Sequence, residues 1–253
     1  MRFASLGSGS KGNSSVVASD TTSIMVDCGF SYKEVIERLK RLDIDPDALA
    51  AIIVTHEHSD HVSGVEALST RHAIPVFASR GTWIEIDADK YQCINHIDGL
   101  FSIGDISITP IPVPHDAREP LQFVFGCSGK RLGILSDLGS ISNRILDAFT
   151  ELDAVSVEFN HDISLLQRGP YPSYLKTRIS GDFGHLNNGQ AAKLIELIAS
   201  DRLHTVVACH ISETNNEVAL VKKTLESVLK NREIEYLVAS QSDGFNWISV
   251  ERK

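Results

Sequence analysis

The chain has 253 residues, with 24 Lys and Arg against 33 Asp and Glu, a formal charge of −9 at pH 7. A chain this long can build a core without disulfides, and its four cysteines (Cys28, Cys93, Cys127, Cys209) contain no C-x-x-C, as expected for reduced thiols in a cytoplasmic protein. No apolar run reaches the ~18 residues of a membrane span, Met1 to Ser10 lacks the marks of a secretory signal, and the acidic balance excludes a simple basic nucleic-acid coat.

In chain order, Arg2–Leu6, Ser15–Ala18 and Ser23–Val26 read as short strands separated by turn residues. Tyr32–Leu42 reads as a helix, with Val35, Ile36 and Leu39 at helical spacing and Ser31 as N-cap. Ala51–Thr55 is an apolar run typical of a buried strand, Val62–Arg71 a helix, and Pro75–Ala78 a strand. The middle is strand-rich: Ile106–Val113, Leu121–Cys127 and Arg131–Ser136, with Ser128-Gly129-Lys130 as a hairpin turn. Ala154–Glu158 is a further strand. Pro170 and Pro172 break Asp162–Asp182 into a loop with short helical pieces. Asn188–Ser200 (helix), Thr205–Cys209 (strand), Glu217–Leu229 (helix), Glu235–Val238 and Phe245–Ser249 (strands) complete the chain. No Pro/Ser/Gly linker divides it, so 1–253 reads as one domain of sheets covered by helices.

Gly7-Ser8-Gly9-Ser10-Lys11-Gly12 matches G-x-G-x-x-G, but a dinucleotide fingerprint must open a helix, and a strand follows here. The segment reads as a turn between strands or as a loop on the floor of a site.

The informative run is Thr55-His56-Glu57-His58-Ser59-Asp60-His61, between a strand and a helix. Three histidines and an aspartate within six residues are hard to explain as packing. Imidazole and carboxylate are the common metal donors. Alternation at a strand end points His56 and His58 the same way, toward one ion. Asp60 and His61, at the turn into the helix, could grip a second. His56 and His61 are five apart, so the run is not H-E-x-x-H.

This H-x-H-x-D-H run resembles the metallo-β-lactamase fold superfamily, and further motifs occur in the order that resemblance requires. Asp27 matches the aspartate that braces the metal loop. His115, in Pro114-His115-Asp116, would complete the first metal with His56 and His58. Asp137, in Ser136-Asp137-Leu138-Gly139, would bridge both ions, and His210 would bind the second. The closer resemblance is to the YycJ/WalJ-type branch of bacterial DNA-processing hydrolases. It is carried by Leu6–Asn13, Glu158–Asp162, Gly169–Pro172, Arg178–Asp182 and Gly184–Asn188. The branch more often has Ser at Asn187 and Leu at Ile211.

The resemblance implies an α/β fold, a four-layer αβ/βα sandwich of two mixed sheets with helices outside. It implies a binuclear metal-dependent phosphodiesterase using a metal-bridging hydroxide, most naturally a DNA exonuclease, with no membrane partner. The seven implied ligands are His56, His58, Asp60, His61, His115, Asp137 and His210. They form a nitrogen-rich set suited to two Zn ions, with Mn a second option. Asp60, Asp137, His161 and His185 are the catalytic candidates. Ribonuclease Z-type relatives carry a His-Glu pair after the bridging aspartate. Here Glu158 falls in that place and Val157 stands where the histidine would be, which leaves His161 as a candidate substitute. His161 and His185 could contact a scissile or neighbouring phosphate, donate a proton to the leaving oxygen, or simply form local hydrogen bonds. Arg168, Lys176 and Arg178 could hold phosphate or simply face solvent. Asp137 and His210 stand too close in sequence for an inserted β-CASP clamp domain. A small-molecule hydrolase (cyclic phosphodiesterase, thioesterase or lactonase) is the alternative, and an inactive metal-stabilised scaffold a third.

Overall fold

A computed structural model describes residues 1–91 and 93–251. The first half forms β1 (Arg2–Gly7), β2 (Ser14–Ala18), β3 (Ser23–Val26), α1 (Tyr32–Arg41), β4 (Ala51–Ile53), α2 (Ser59–Val62), α3 (Val65–His72), β5 (Val76–Ala78), α4 (Arg80–Glu85) and β6 (Ile94–His96). The second half forms β7 (Phe101–Ile103), β8 (Ile106–Pro112), β9 (Leu121–Cys127), β10 (Lys130–Leu135), α5 (Asn143–Ala148), β11 (Ala154–Glu158), α6 (Ile163–Arg168), α7 (Ser173–Ser180), α8 (Asn188–Ile198), β12 (Thr205–Cys209), α9 (Val218–Val228), β13 (Glu235–Val238) and β14 (Phe245–Ser249).

Two mixed sheets result, in the orders β14-β1-β2-β3-β4-β5-β6 and β13-β12-β11-β10-β9-β8-β7. In each, an antiparallel meander passes into parallel strands joined through helices. The switch falls at β3–β4 in the first sheet and at β10–β11 in the second. The side-chain period of two sorts residues between layers. On β1, Phe3 enters the core between the sheets, while Ala4 and Leu6 pack with Val35 and Leu39 of α1. On β12, Val207 and Cys209 join the inter-sheet core, and Val206 and Ala208 pack with α8 and α9 residues such as Leu194 and Leu225. Strands covered on both faces are therefore almost wholly apolar. The architecture is helix, sheet, sheet, helix, as the resemblance implied.

Caps set the helix starts. Ser31 caps α1 through a reciprocal box with Glu34, and Asn187 caps α8 with Gln190 in the same way. Asn and Ser are near-equivalent at this position, so Asn187 keeps the capping role of the more usual Ser. The single helix expected over Val62–Arg71 is instead two. Ser63 and Gly64 separate α2 from α3, because the Gly64 N–H is drawn to the Cys28 carbonyl at 2.8 Å. The broken segment after Asp162 resolves into α6 and α7. The short elements α4, α5, β6 and β7 carried too little periodicity to be predicted. Among the described residues, no helix is long and apolar enough to cross a membrane.

Candidate metal centre

The polar residues singled out in the sequence converge at one edge of the sandwich. Asp27 follows β3, the His56–His61 run follows β4, His115 follows β8, Asp137 follows β10 and His210 follows β12. Open α/β sheets place their sites at such strand ends. Asp27 and His210 hold left-handed backbone, with φ of 58° and 49°. Such strain persists where the surroundings over-determine it, commonly at functional sites.

Asp27 braces the loop. Its Oδ1 accepts from the Thr55 N–H and its Oδ2 from the Thr55 hydroxyl, each at 2.8 Å. The same Oδ2 lies 2.8 Å from His61 Nδ1. From the other side, Asn13 N donates to the Asp60 carbonyl at 2.7 Å. Gly29 makes this closeness possible: a Cβ there would stand 1.7 Å from the Asp60 carbonyl oxygen. The Gly7–Gly12 segment is a turn between β1 and β2 that also lines the site. Ser8 Oγ accepts from the His210 N–H at 2.8 Å, and Asn13 Nδ2 donates to Asp60 Oδ2 at 3.2 Å.

Several rings are oriented through Nδ1. His56 Nδ1 meets Thr55 Oγ1 at 2.9 Å, whose own proton goes to Asp27. His61 Nδ1 meets Asp27, and His115 Nδ1 donates to the Gly184 carbonyl at 3.0 Å. This fixes the tautomer and turns Nε2 inward, the usual support of metal-binding imidazoles. His58 Nδ1 then stands 3.0 Å from His56 Nε2 and 3.3 Å from His115 Nε2. A second group is Asp60, His61 and His210, with Asp60 Oδ2 at 3.5 Å from His61 Nε2 and 3.6 Å from His210 Nε2. Asp137 lies beside both groups, its Oδ2 3.1 Å from His61 Nε2 and its Oδ1 3.8 Å from His115 Nε2. Asp137 Oδ2 is buried without a hydrogen-bond partner. Each trio of donors lies within 4.8 Å of one another. Converging nitrogens beside an orphaned buried carboxylate oxygen fit divalent cations, and leave much buried polarity uncompensated without them.

The electrostatics differ between the groups. Burial, reinforced by His61, His115 and His58, holds His56 well below the usual histidine range, and burial also lowers His115. Burial opposes protonation of His61 and His210 as well, but there it is overcome. Asp137, Asp27 and Asp60 raise His61, and Asp137, Asp60 and Glu158 raise His210. Burial works against ionisation of Asp137, yet the charges of His210 and His61 hold its carboxyl well below the carboxylate range.

The catalytic candidates are placed unequally. His185 Nδ1 lies 2.6 Å from Glu158 Oε1 and 3.4 Å from Asp137 Oδ1. Glu158 is fully buried, and its Oε2 accepts from the Leu138 and Leu186 N–H groups. The candidate histidine opposite Glu158 was His161; the structure brings His185 there instead. His161 is 0% exposed with neither ring nitrogen hydrogen-bonded. Its backbone bridges to Asn187, and its buried ring feels the charges of Glu158 and His185 without hydrogen-bonding either. Asp116 was missed. Its carboxylate takes the Arg178 guanidinium and lies 3.4 Å from His115 Nε2. Its place directly after His115 was the only available signal. His72 pairs with Asp47 and Tyr32, and His204 with Thr205 and Val250, as structural histidines do.

Sandwich and donor groups together define a metal-dependent hydrolase. The chain belongs to the metallo-β-lactamase fold superfamily, since the model for "Beta-lactamase superfamily domain" matches residues 22–211. Within that superfamily it is similar to "Exodeoxyribonuclease YycJ" of Bacillus anthracis, 31% identical over 238 residues, covering 92% of this chain and 90% of that one. "Exodeoxyribonuclease WalJ" of Streptococcus pneumoniae is also 31% identical, with the same coverage of both chains. Among solved structures, the metallo-β-lactamase fold protein YhfI from Bacillus subtilis superposes with a TM-score of 0.75 at 14% identity, covering 98% of this chain and 99% of that one. That likeness is one of fold.

Proposed function

We propose that this chain is a binuclear metal-dependent exonuclease that hydrolyses DNA from an end, with residues 1–253 acting as one hydrolase domain. His56, His58 and His115 would hold one ion, Asp60, His61 and His210 the other, and Asp137 would serve both. The nitrogen-rich set favours zinc over manganese. Bound there, divalent ions supply Lewis acidity, which acidifies a water and neutralises charge developing on a phosphoryl oxygen.

The observation that carries the reading is the Glu158–His185 pair beside Asp137. A phosphodiester has a poor leaving group, an alkoxide that needs a proton. Burial disfavours the charged ring, but Glu158 outweighs it and raises the His185 pKa. His185 Nδ1 faces Glu158 and its side chain is partly exposed, which leaves Nε2 as the nitrogen that would deliver the proton. Glu158 thereby favours the protonated, proton-donating form of His185, and Asp60 and Asp137 orient the attacking side. A thioester, whose thiolate leaves without help, makes no such demand. The names of the YycJ and WalJ relatives support DNA as the substrate.

The test is incubation of zinc- or manganese-loaded protein with end-labelled single- and double-stranded DNA and RNA, beside a chromogenic phosphodiester and a thioester. The expected result is metal-dependent shortening of DNA from an end. Fast thioester or lactone hydrolysis with DNA untouched would overturn it.

A further inference from the structure

Helix α7 has no fully buried residue, although Leu175 and Ile179 are half-buried. It is nevertheless tied to the candidate metal centre. Arg178 reaches Asp116, and the His185 N–H donates to the Ile179 carbonyl at 2.8 Å. The turn after α7 is clamped between two site elements. Ser140 Oγ donates to the Asp182 carbonyl, and His115 Nδ1 to the Gly184 carbonyl. Gly139 permits the approach, since a Cβ there would lie 2.3 Å from the Asp182 carbonyl oxygen.

Two large aromatic side chains stand on this segment in the open. Tyr174 is 76% exposed and Phe183 62% exposed. Tyr174 lies four residues before Arg178, so the two share a helix face about 6 Å apart along the axis. Phe183 sits in the turn at the inner end, between the two clamped carbonyls. Along the chain the order is Tyr174, Arg178, Phe183, and the Arg178 guanidinium sits on Asp116, next to His115. Exposed rings interleaved with a cation are the makeup of a single-strand nucleic-acid surface, where bases stack and phosphates pair with arginine.

We propose that α7 and its following turn form a ledge for the single-stranded end of the substrate. Bases stack on Tyr174 and Phe183, and Arg178, held by Asp116 through Nε, offers its outer guanidinium nitrogens to a backbone phosphate. This rests on the nuclease reading above and adds the form of substrate it accepts. An acidic chain needs such a local device, because its overall field repels a polyanion. It also explains why an aromatic ring is left open at the rim of the site.

The experiment measures binding of zinc-loaded protein to a short fluorescein-labelled, phosphorothioate-linked single strand, with 2-aminopurine at successive positions from the end. Wild type should quench 2-aminopurine near the end, the signature of stacking. Tyr174→Ala should weaken binding about tenfold and relieve the quench at one position, and Tyr174→Trp should restore both. Adding Phe183→Ala should relieve a second position. Arg178→Gln should lower the salt slope of log Kd by about one. The single-strand Kd should worsen at least tenfold more than hydrolysis of a chromogenic diester. Equal Kd for wild type and Tyr174→Ala overturns the ledge while leaving the nuclease reading standing. So does equal weakening on blunt duplex and single strand, which would make the face a duplex reader. Loss of self-association in sedimentation, without change in DNA affinity, would give the face to a second copy. Wild type that binds no oligonucleotide overturns the nuclease reading and the ledge together.

Discussion

The carboxylate of Glu158 and the ring of His185 meet at 2.6 Å, although 27 residues separate them in the chain. Glu158 ends β11, and His185 sits in the turn that leads into α8. The carboxylate has no solvent contact, so its charge acts on that ring with little screening.

Glu158→Gln tests this relationship. The amide can still accept from the Leu138 and Leu186 N–H groups, so the fold should survive. Without the negative charge, the His185 pKa falls. A proton donor acts only while protonated, so the alkaline limb of the rate profile should move to lower pH. At neutral pH, kcat should drop about 10²–10³-fold. The check is the pH dependence of kcat for both proteins. An unmoved alkaline limb would remove His185 as the donor.

Metal uptake should depend on pH differently for the two donor groups. His56 and His115 are held low and are already neutral at pH 7. His61 and His210 are raised and carry protons in the metal-free protein. Binding at the Asp60 group must therefore displace protons, while binding at the His56 group displaces few. Titration calorimetry in buffers of different ionisation enthalpy should show two ions per chain, only one of them with large proton release. Its affinity should fall first as pH drops.

Asp137→Ala should lower turnover by at least about 10³-fold and reduce metal content from two ions toward one. The carboxylate lies beside both donor groups, and His61 and His210 lean on its charge. Elemental analysis and circular dichroism check this together. Near-normal kcat at saturating metal would exclude Asp137 from the mechanism.

His161 predicts an acid-sensitive fold. Burial lowers its pKa to about 4. Its unfolded value is about 6.5, so between about pH 6.5 and 4 the unfolded chain binds the extra proton. Stability is full above the upper value and declines as pH falls through the window, by on the order of 3 kcal/mol. Urea midpoints of His161→Leu against wild type at pH 7 and pH 4.5 measure it. The variant should lose less stability over that interval.

Gly29→Ala should displace the His56–His61 loop, because its Cβ would overlap the Asp60 carbonyl. A loss of about 1–3 kcal/mol in stability is expected, with weakened metal binding. Thermal melts with and without zinc check both effects. Zinc-induced stabilisation equal to that of wild type would show that the loop tolerates the shift.

The sequence by itself determined most of the strands, a fold of sheets covered by helices and the dense His56–His61 donor run. Alternation and apolar runs are local signals, and His56, His58, Asp60 and His61 announce themselves by density within six residues. Asp27, His115, Asp137 and His210 were legible only through the family resemblance, which supplied the order of motifs in which they fall. Pairings across long stretches were decided by tertiary structure alone. Which histidine faces Glu158 depends on how the chain returns from α7 into α8. Nothing in the spacing of His161 reveals that its ring is buried with neither nitrogen hydrogen-bonded. Arg178 finds Asp116 across 62 residues for the same reason. Strand order brings β14 back beside β1 and sets β10, β11 and β12 side by side, aligning their ends. Local propensity makes each strand; burial of both sheet faces and right-handed crossovers choose its neighbours, and with them which side chains meet.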